Sequence, residues 1–338
     1  MANKKQHFLL SASARTLSLR KIFQLTPDES FELFKQARWP QGKPVCPHCG
    51  GEHHYYLKTR KQWRCKDKDC GHTFSVTSGT IFSSHKLPLS VYLAAIAIYT
   101  NAVKGISALQ LSRDLDVQYK TAFVLAHKIR ESLLNNRDES ALSGDIEMDG
   151  AYVNGHVRPE NKKEERVDRR LAENQRPDKR CVLVFRQRQS EESTGRTLPF
   201  IINKENQADV VNLAGRFIDK QSTIFADENS AYDPLHCKFD TKRINHQKAY
   251  SYEDGTTTNY AESYFSRFRR MQYGQVHKFG NLYLLNYANE AAYREDNRRM
   301  DNGEMFNDIL VKCTRTQTSR DFGGYWQGNK KLIERLVG

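Results

Sequence analysis

The sequence predicts a mixed α+β chain: a small cysteine-bound ribbon, a helical segment, and a larger mixed α/β domain whose sheet is flanked by helices. Three observations carry this. Four of the seven cysteines crowd into residues 46–70 as two close pairs. Residues 87–137 show helical periodicity throughout. From residue 144 onward, short β-rich runs are followed by helical patterns, as in strand–helix–strand units. The 338 residues, 38% of them hydrophobic, suffice for two domains, or three if some are small. The expected division is a helical lead-in over 1–42, a zinc ribbon over 43–85, a helix-turn-helix-like segment over 86–140, the larger domain over 141–300 and a C-terminal tail over 301–338.

The lead-in contains Thr26-Pro27-Asp28-Glu29, a helix-start pattern, followed by Phe31, Leu33, Phe34 and Ala37 near helical spacing. The ribbon is read from Cys46-Pro-His-Cys49 and Cys65-Lys-Asp-Lys-Asp-Cys70, with fifteen residues between the pairs. Two thiolate pairs at such spacing make a closed tetrahedral zinc site, structural because no position is left for substrate. Gly50 and Gly71 follow their pairs where the backbone must turn. His48, His53, His54 and His72 lie close by, so a mixed cysteine–histidine set is the alternative. Lys58, Arg60, Lys61, Arg64 and Lys66 put basic charge on the ribbon; with Trp63 they suit a DNA backbone, and equally a solvated surface. Cys181, Cys237 and Cys313 read as ordinary small residues.

In the helical segment, Ser107 caps a short helix, Asp114–Val117 turns, and Ala122, Ala126, Ile129 and Leu133 stripe a second helix. Gln118, Tyr119, Lys120 and Thr121 then stand at the amino end of a recognition helix. The same pattern also describes an ordinary helical hairpin.

In the larger domain, strands are expected at Asp145–Val153, Cys181–Gln187, Leu198–Ile202 and Ser222–Ala226. Helices are expected at 206–220, Thr258–Met271 and Leu282–Arg299. Residues 158–180 hold nine Lys or Arg, six Asp or Glu and almost nothing apolar, which reads as a solvated loop. Asp145, Glu147 and Asp149 share one face of the first strand; alone, that alternation describes a solvated face. Asp227-Glu228 ends an apolar strand, where sites collect in mixed sheets. Asn259 and Glu262 share a helix face with Arg269 two turns on. Three carboxylates drawn from distant segments could hold two Mg²⁺ or Mn²⁺ ions about 4 Å apart, a pair suited to phosphodiester chemistry.

Composition excludes other classes. The longest apolar run, Val91–Tyr99, falls short of the roughly 20 residues a membrane span needs. The first residues lack the apolar core of a secretion signal, and seven cysteines are an odd number for a disulfide framework. A cytoplasmic protein with no membrane partner is expected. Lys and Arg number 53 and Asp and Glu 40, a net charge of +13 that invites a polyanion without naming one.

Taken together, the ordered motifs resemble the bacterial insertion-sequence transposases that join an N-terminal zinc ribbon to a DDE catalytic domain of ribonuclease H-like fold. The matching pieces are CPHC…CKDKDC with GHTFSVTSGTIF; ISALQLSRDL…KTAFVLAHKIR; IEMDGAYVNG; FADENSAYDPL; INHQKAY; and TTTNYAESYFSRFRRMQYGQVHKF…NEAAYREDNRR. They span roughly residues 15–300. The resemblance implies that Asp149, Asp227 and Glu262 are the catalytic acids and ligands of two Mg²⁺ or Mn²⁺ ions. It implies that Arg269, with Arg270 beside it, contacts DNA, and that Asn259, His246 and His277 lie around the site; Lys120 and Arg64 complete the expected DNA contacts. It further implies double-stranded DNA partners (terminal inverted repeats and a target), a nucleoid location, and a homodimer or larger assembly on DNA. The implied reaction is cleavage at element ends and attack of the freed 3′-hydroxyl on target DNA. A non-catalytic DNA-binding relative and a metal-dependent nuclease are the alternatives. The sequence departs from the family pattern at Gly150, where an acid commonly stands, at Asn154 for Gly, at Arg269 for Lys and at Thr257 for His.

Overall fold

The computed structural model describes residues 8–155, 160–168, 171–174, 176–189, 195–245, 251–252 and 255–337. His246 and much of the charged 158–180 stretch lie outside them. The chain divides into two units. One comprises Met1–Arg137 and Asn297–Lys331, the other Asp138–Asp296 and Leu332–Gly338.

In the first unit, α1 (Leu19–Phe23) precedes α2 (Pro27–Arg38), which begins at a complete capping box: the Thr26 hydroxyl accepts from the Glu29 N–H, and the Glu29 carboxylate accepts from the Thr26 N–H. The ribbon sheet follows: antiparallel β1 (His54–Leu57), β2 (Gln62–Cys65) and β3 (Thr73–Phe74), in that order. Trp63 on β2 is buried among Phe31, Trp39 and Phe74, with ring centroids 5.1–5.9 Å away, so α2 seals the ribbon sheet through aromatic packing.

The apolar run becomes α3 (Leu89–Asn101), buried continuously from Tyr92 to Thr100. Next come α4 (Ala108–Asp114) and α5 (Tyr119–Asn135). Ser107 caps α4 through the Gln110 N–H, and Asp116 takes the left-handed conformation in the turn. Residues 301–338, expected as a tail, contain a full helix (Asn302–Arg315), which the Asp301 side chain caps and which buries Phe306, Ile309, Leu310 and Cys313. That apolar face packs against α2, α3 and α5.

The second unit is a five-stranded mixed sheet. In chain order its strands are β4 (Asp145–Val153), β5 (Arg180–Gln187), β6 (Thr197–Ile202), β7 (Thr223–Asp227) and β8 (Asp240–Ile244). In space the order is β6-β5-β4-β7-β8, antiparallel from β6 to β4 and parallel from β4 to β8. The parallel β4–β7 pair requires a crossover, supplied in part by α6 (Gln207–Phe217), which Asn206 caps. Val210, Leu213, Ala214 and Phe217 of α6 pack onto Ile146, Met148, Ile224 and Ala226. Two further helices are α7 (Asn259–Met271) and α8 (Leu284–Asp296), α7 against β4 and β5 and α8 against β6; the helix at Asn302–Arg315 is α9. The mixed sheet flanked by helices is the one the sequence predicts. Its addition is β8, a polar edge strand burying only Thr241 and Ile244. Among the described residues no helix is long and apolar enough to cross a membrane.

Candidate functional site

The four ribbon cysteines form one cluster, their sulfurs all within 4.8 Å of one another. Cys46 and Cys70 Sγ stand 3.8 Å apart, Cys49 and Cys65 Sγ 3.6 Å. A tetrahedron with Zn–S bonds of about 2.3 Å has edges of about 3.8 Å, so the spacing fits a four-thiolate zinc site; a disulfide would need about 2.05 Å. His48 Nδ1 approaches Cys70 Sγ at 3.5 Å from outside this set, and its ring stacks on His72. Gly50 and Gly71 adopt positive φ, as the turns after each pair require. Arg64 is exposed on β2. Lys120, exposed at the start of α5, holds its ammonium 5.6 Å from the Tyr325 ring centroid and 5.4 Å from that of Trp326.

Asp149, Asp227 and Glu262 all lie in the second unit. Met148 of β4 pairs with Ala226 of β7 in parallel register, so Asp149 and Asp227 stand next in line on neighbouring strands. Asp227 accepts from the Asn229 N–H at 2.9 Å, which fixes the turn after β7. Glu262 lies in the first turn of α7, exposed on the face that also carries Asn259, Arg269 and Arg270. Burial pushes the Asp149 carboxyl up to about 7, against the Gly150 N–H bond that favours its charge; the negative charges of Asp227, Glu205 and Glu262 raise it further. Among the described residues, the acids are not drawn within 4.8 Å of one another as the cysteines are. Hard carboxylate oxygens on three segments nonetheless form a donor set suited to Mg²⁺ or Mn²⁺.

Residues 25–73 match the transposase zinc-ribbon domain, and residues 141–296 match the ISXO2-like transposase domain. Both matched families are transposase families. The chain is also 28% identical over 208 residues to an uncharacterized protein in transposable element ISH50 of Halobacterium salinarum, a match covering 60% of this chain and 68% of that one.

Two further acids in the second unit have roles that the sequence does not show. Glu205, just before α6, accepts from the Tyr232 hydroxyl at 2.7 Å and stands close enough to raise Asp149. Its surroundings raise its own carboxyl, burial most of all. Nothing in its sequence context marks it. Glu147 was expected on a solvated strand face but is fully buried. It receives N–H groups from the start of α7 at 2.8 and 3.0 Å and the Arg188 Nε–H at 2.8 Å. Alternation places Glu147 on the face of Asp149 but cannot show that a helix covers that face.

The family departures have physical counterparts. Asn154 adopts φ +59°, a conformation that Gly reaches freely and Asn tolerates; its amide donates to the Phe279 carbonyl and to Asn281 Oδ1. The Thr257 hydroxyl accepts from the Asn259 N–H at 3.2 Å, beside its backbone carbonyl, which accepts from Arg188 at 2.8 Å. His277 is exposed, with φ +63°, after the widened turn Gln272–Val276 that ends α7.

Proposed function

We propose that the chain is a DDE transposase that cuts DNA at the ends of its element and joins the freed 3′-hydroxyls to target DNA by direct transesterification. The observation that supports this reading is that three acids from distant segments influence one another in the second unit: Asp149 and Asp227 follow the last paired positions of parallel strands, and the charges of Asp227 and Glu262 raise Asp149. Asp149, Asp227 and Glu262 would hold two Mg²⁺ or Mn²⁺ ions. When bound, such ions activate a water or hydroxyl and stabilise the leaving oxygen at phosphorus.

The chain's own residues supply position and charge. Asp149 must give up its proton to serve as a ligand, and a carboxyl raised to about 7 does so near neutral pH. Asn259, Arg269 and Arg270, exposed on the α7 face of Glu262, are suited to holding the phosphate backbone beside the acids. Arg64 on the ribbon and Lys120 at the start of α5 would add further contacts to DNA. In cleavage, water oxygen bonds to phosphorus as the 3′-oxygen leaves and takes a proton. In joining, that 3′-hydroxyl loses its proton, bonds to a target phosphorus, and a target 3′-oxygen leaves. No bond to the protein forms. Processing two ends calls for two such sites, hence a dimer or larger assembly on DNA.

The test is purified protein with Mn²⁺ and DNA carrying the element's terminal repeats. Nicked ends and joined products are expected, both lost in Asp149→Ala. Cutting without joining would leave a nuclease, and binding with neither product would leave a DNA-binding protein.

A further inference from the structure

We propose that Glu147 is a positioning residue: it fixes Glu262 relative to Asp149 by holding the start of α7 against β4, and Arg188 fixes Glu147 in turn. The inference rests on the reading of Asp149 and Glu262 as ligands of one cation centre.

The first N–H groups of a helix have no partner within it and are usually satisfied by a local side chain. At α7 the N-cap residue, Thr258, makes no side-chain capping bond. Thr257 Oγ1 accepts the Asn259 N–H at 3.2 Å, and a residue 113 positions earlier in the chain takes the next two amides. Glu147 Oε2 accepts the Tyr260 N–H at 2.8 Å and the Ala261 N–H at 3.0 Å, the two residues immediately before Glu262. A carboxylate there also meets the positive end of the helix dipole. Its other oxygen, Oε1, accepts from Arg188 Nε at 2.8 Å. Arg188 donates onward to the Thr257 carbonyl at 2.8 Å, and its guanidinium lies 3.7 Å from the Phe225 ring centroid.

Two consequences follow from this geometry. Both oxygens of a fully buried Glu147 are engaged by the protein, so Glu147 is not itself a cation ligand. Glu147 also lies two residues before Asp149 on the same face of β4. One side chain therefore ties the strand position of the first acid to the helix position of the third.

The test uses the full-length protein without DNA and three measurements: Mn²⁺ affinity by calorimetric titration, hydrogen–deuterium exchange over residues 258–263 without divalent cations, and thermal melting. In Glu147→Gln, faster exchange at 260 and 261 is expected, with Mn²⁺ affinity about tenfold to a hundredfold weaker, the usual cost of losing a partner that orients a ligand. Should Arg188, left with only the half-exposed Asp145 as counter-charge, prevent folding, the double variant Glu147→Gln with Arg188→Gln removes both charges and carries the same expectation. Asp149→Asn should lose Mn²⁺ binding yet keep the slow exchange at 260 and 261. A folded Glu147 variant with unchanged Mn²⁺ affinity, where Asp149→Asn has lost it, overturns the positioning role alone. Mn²⁺ binding untouched by Asp149→Asn overturns the cation-centre reading and the positioning role with it.

Discussion

Gly150 and Glu205 compete for one volume: a β-carbon on Gly150 would clash with Glu205 Oε1 and stand 3.1 Å from Cys181 Sγ. Gly150 alternates with Asp149 along β4, so it faces the other side of the sheet, the side covered by α6. The missing side chain lets the Glu205 carboxylate tuck against the strand beside Asp149. The acid that packs beside Asp149 thus comes from the segment before α6 and not from position 150.

Removing the Glu205 charge should therefore lower the Asp149 carboxyl from about 7, because one of the charges raising it is gone. Glu205→Gln tests this, read as the titration midpoint of Asp149 by NMR without divalent cations. Gly150→Ala should act in the same direction by pushing the Glu205 carboxylate away. An unmoved midpoint in Glu205→Gln would show that the two acids do not interact.

The pH dependence of stability has a definite sign. Asp149 titrates near 7 when folded and near its ordinary value of 3.8 when unfolded, so between these values the folded chain holds the extra proton. Its contribution is full below 3.8 and is lost as pH rises through about 7. Glu147 and Glu205, also raised by burial, act in the same sense. Asp149→Asn should thus melt higher than the parent at pH 8 in chelator, by on the order of a few kcal/mol at most, and nearly level with it at pH 4. Equal melting at both pH values would count against a buried charge at Asp149.

Zinc removal should unmake the ribbon. The ribbon sheet has only three short strands, below the size at which an apolar core alone sustains a module. Two of the chain's three tryptophans, Trp39 and Trp63, belong to its aromatic cluster, so fluorescence reports its integrity. Cys46→Ser or a strong chelator should release about one zinc per chain and shift tryptophan emission to the red. Stoichiometric zinc retained by the Cys46 variant would argue for a histidine in the ligand set.

Legibility from sequence followed whether a feature was local. The capping box at Thr26, the cap at Ser107, the cysteine pairs and the β4 alternation rest on spacing within a few residues and could be read directly. The order β6-β5-β4-β7-β8 could not, because pairing partners are set by packing between distant segments. β8 went unread because an edge strand of sequence DTKRI has no apolar alternation to detect. The helix Asn302–Arg315 has an apolar stripe at Phe306, Ile309, Leu310 and Cys313, a periodic signal that is local and present in the sequence. Glu147 and Glu205 are of another kind. Their roles depend on what α7 and Gly150 do in space, and no local pattern records it.

The last prediction concerns the charge on α7. Arg269 and Arg270 are exposed, one and two positions past the buried Phe268, on the helix whose first turn carries Glu262. If they meet DNA phosphates, each should release about one counterion on binding, so each Ala variant should lower the slope of log affinity against log salt by about 1. The loss should be uniform across DNA sequences, because a phosphate contact carries no base information. Asn259→Ala, which removes no charge, should leave the salt slope unchanged, and so serves as the control on the same helix face. Slopes unchanged in Arg269→Ala and Arg270→Ala would place the DNA elsewhere, and the exposed face of α7 would then need another account of its charge.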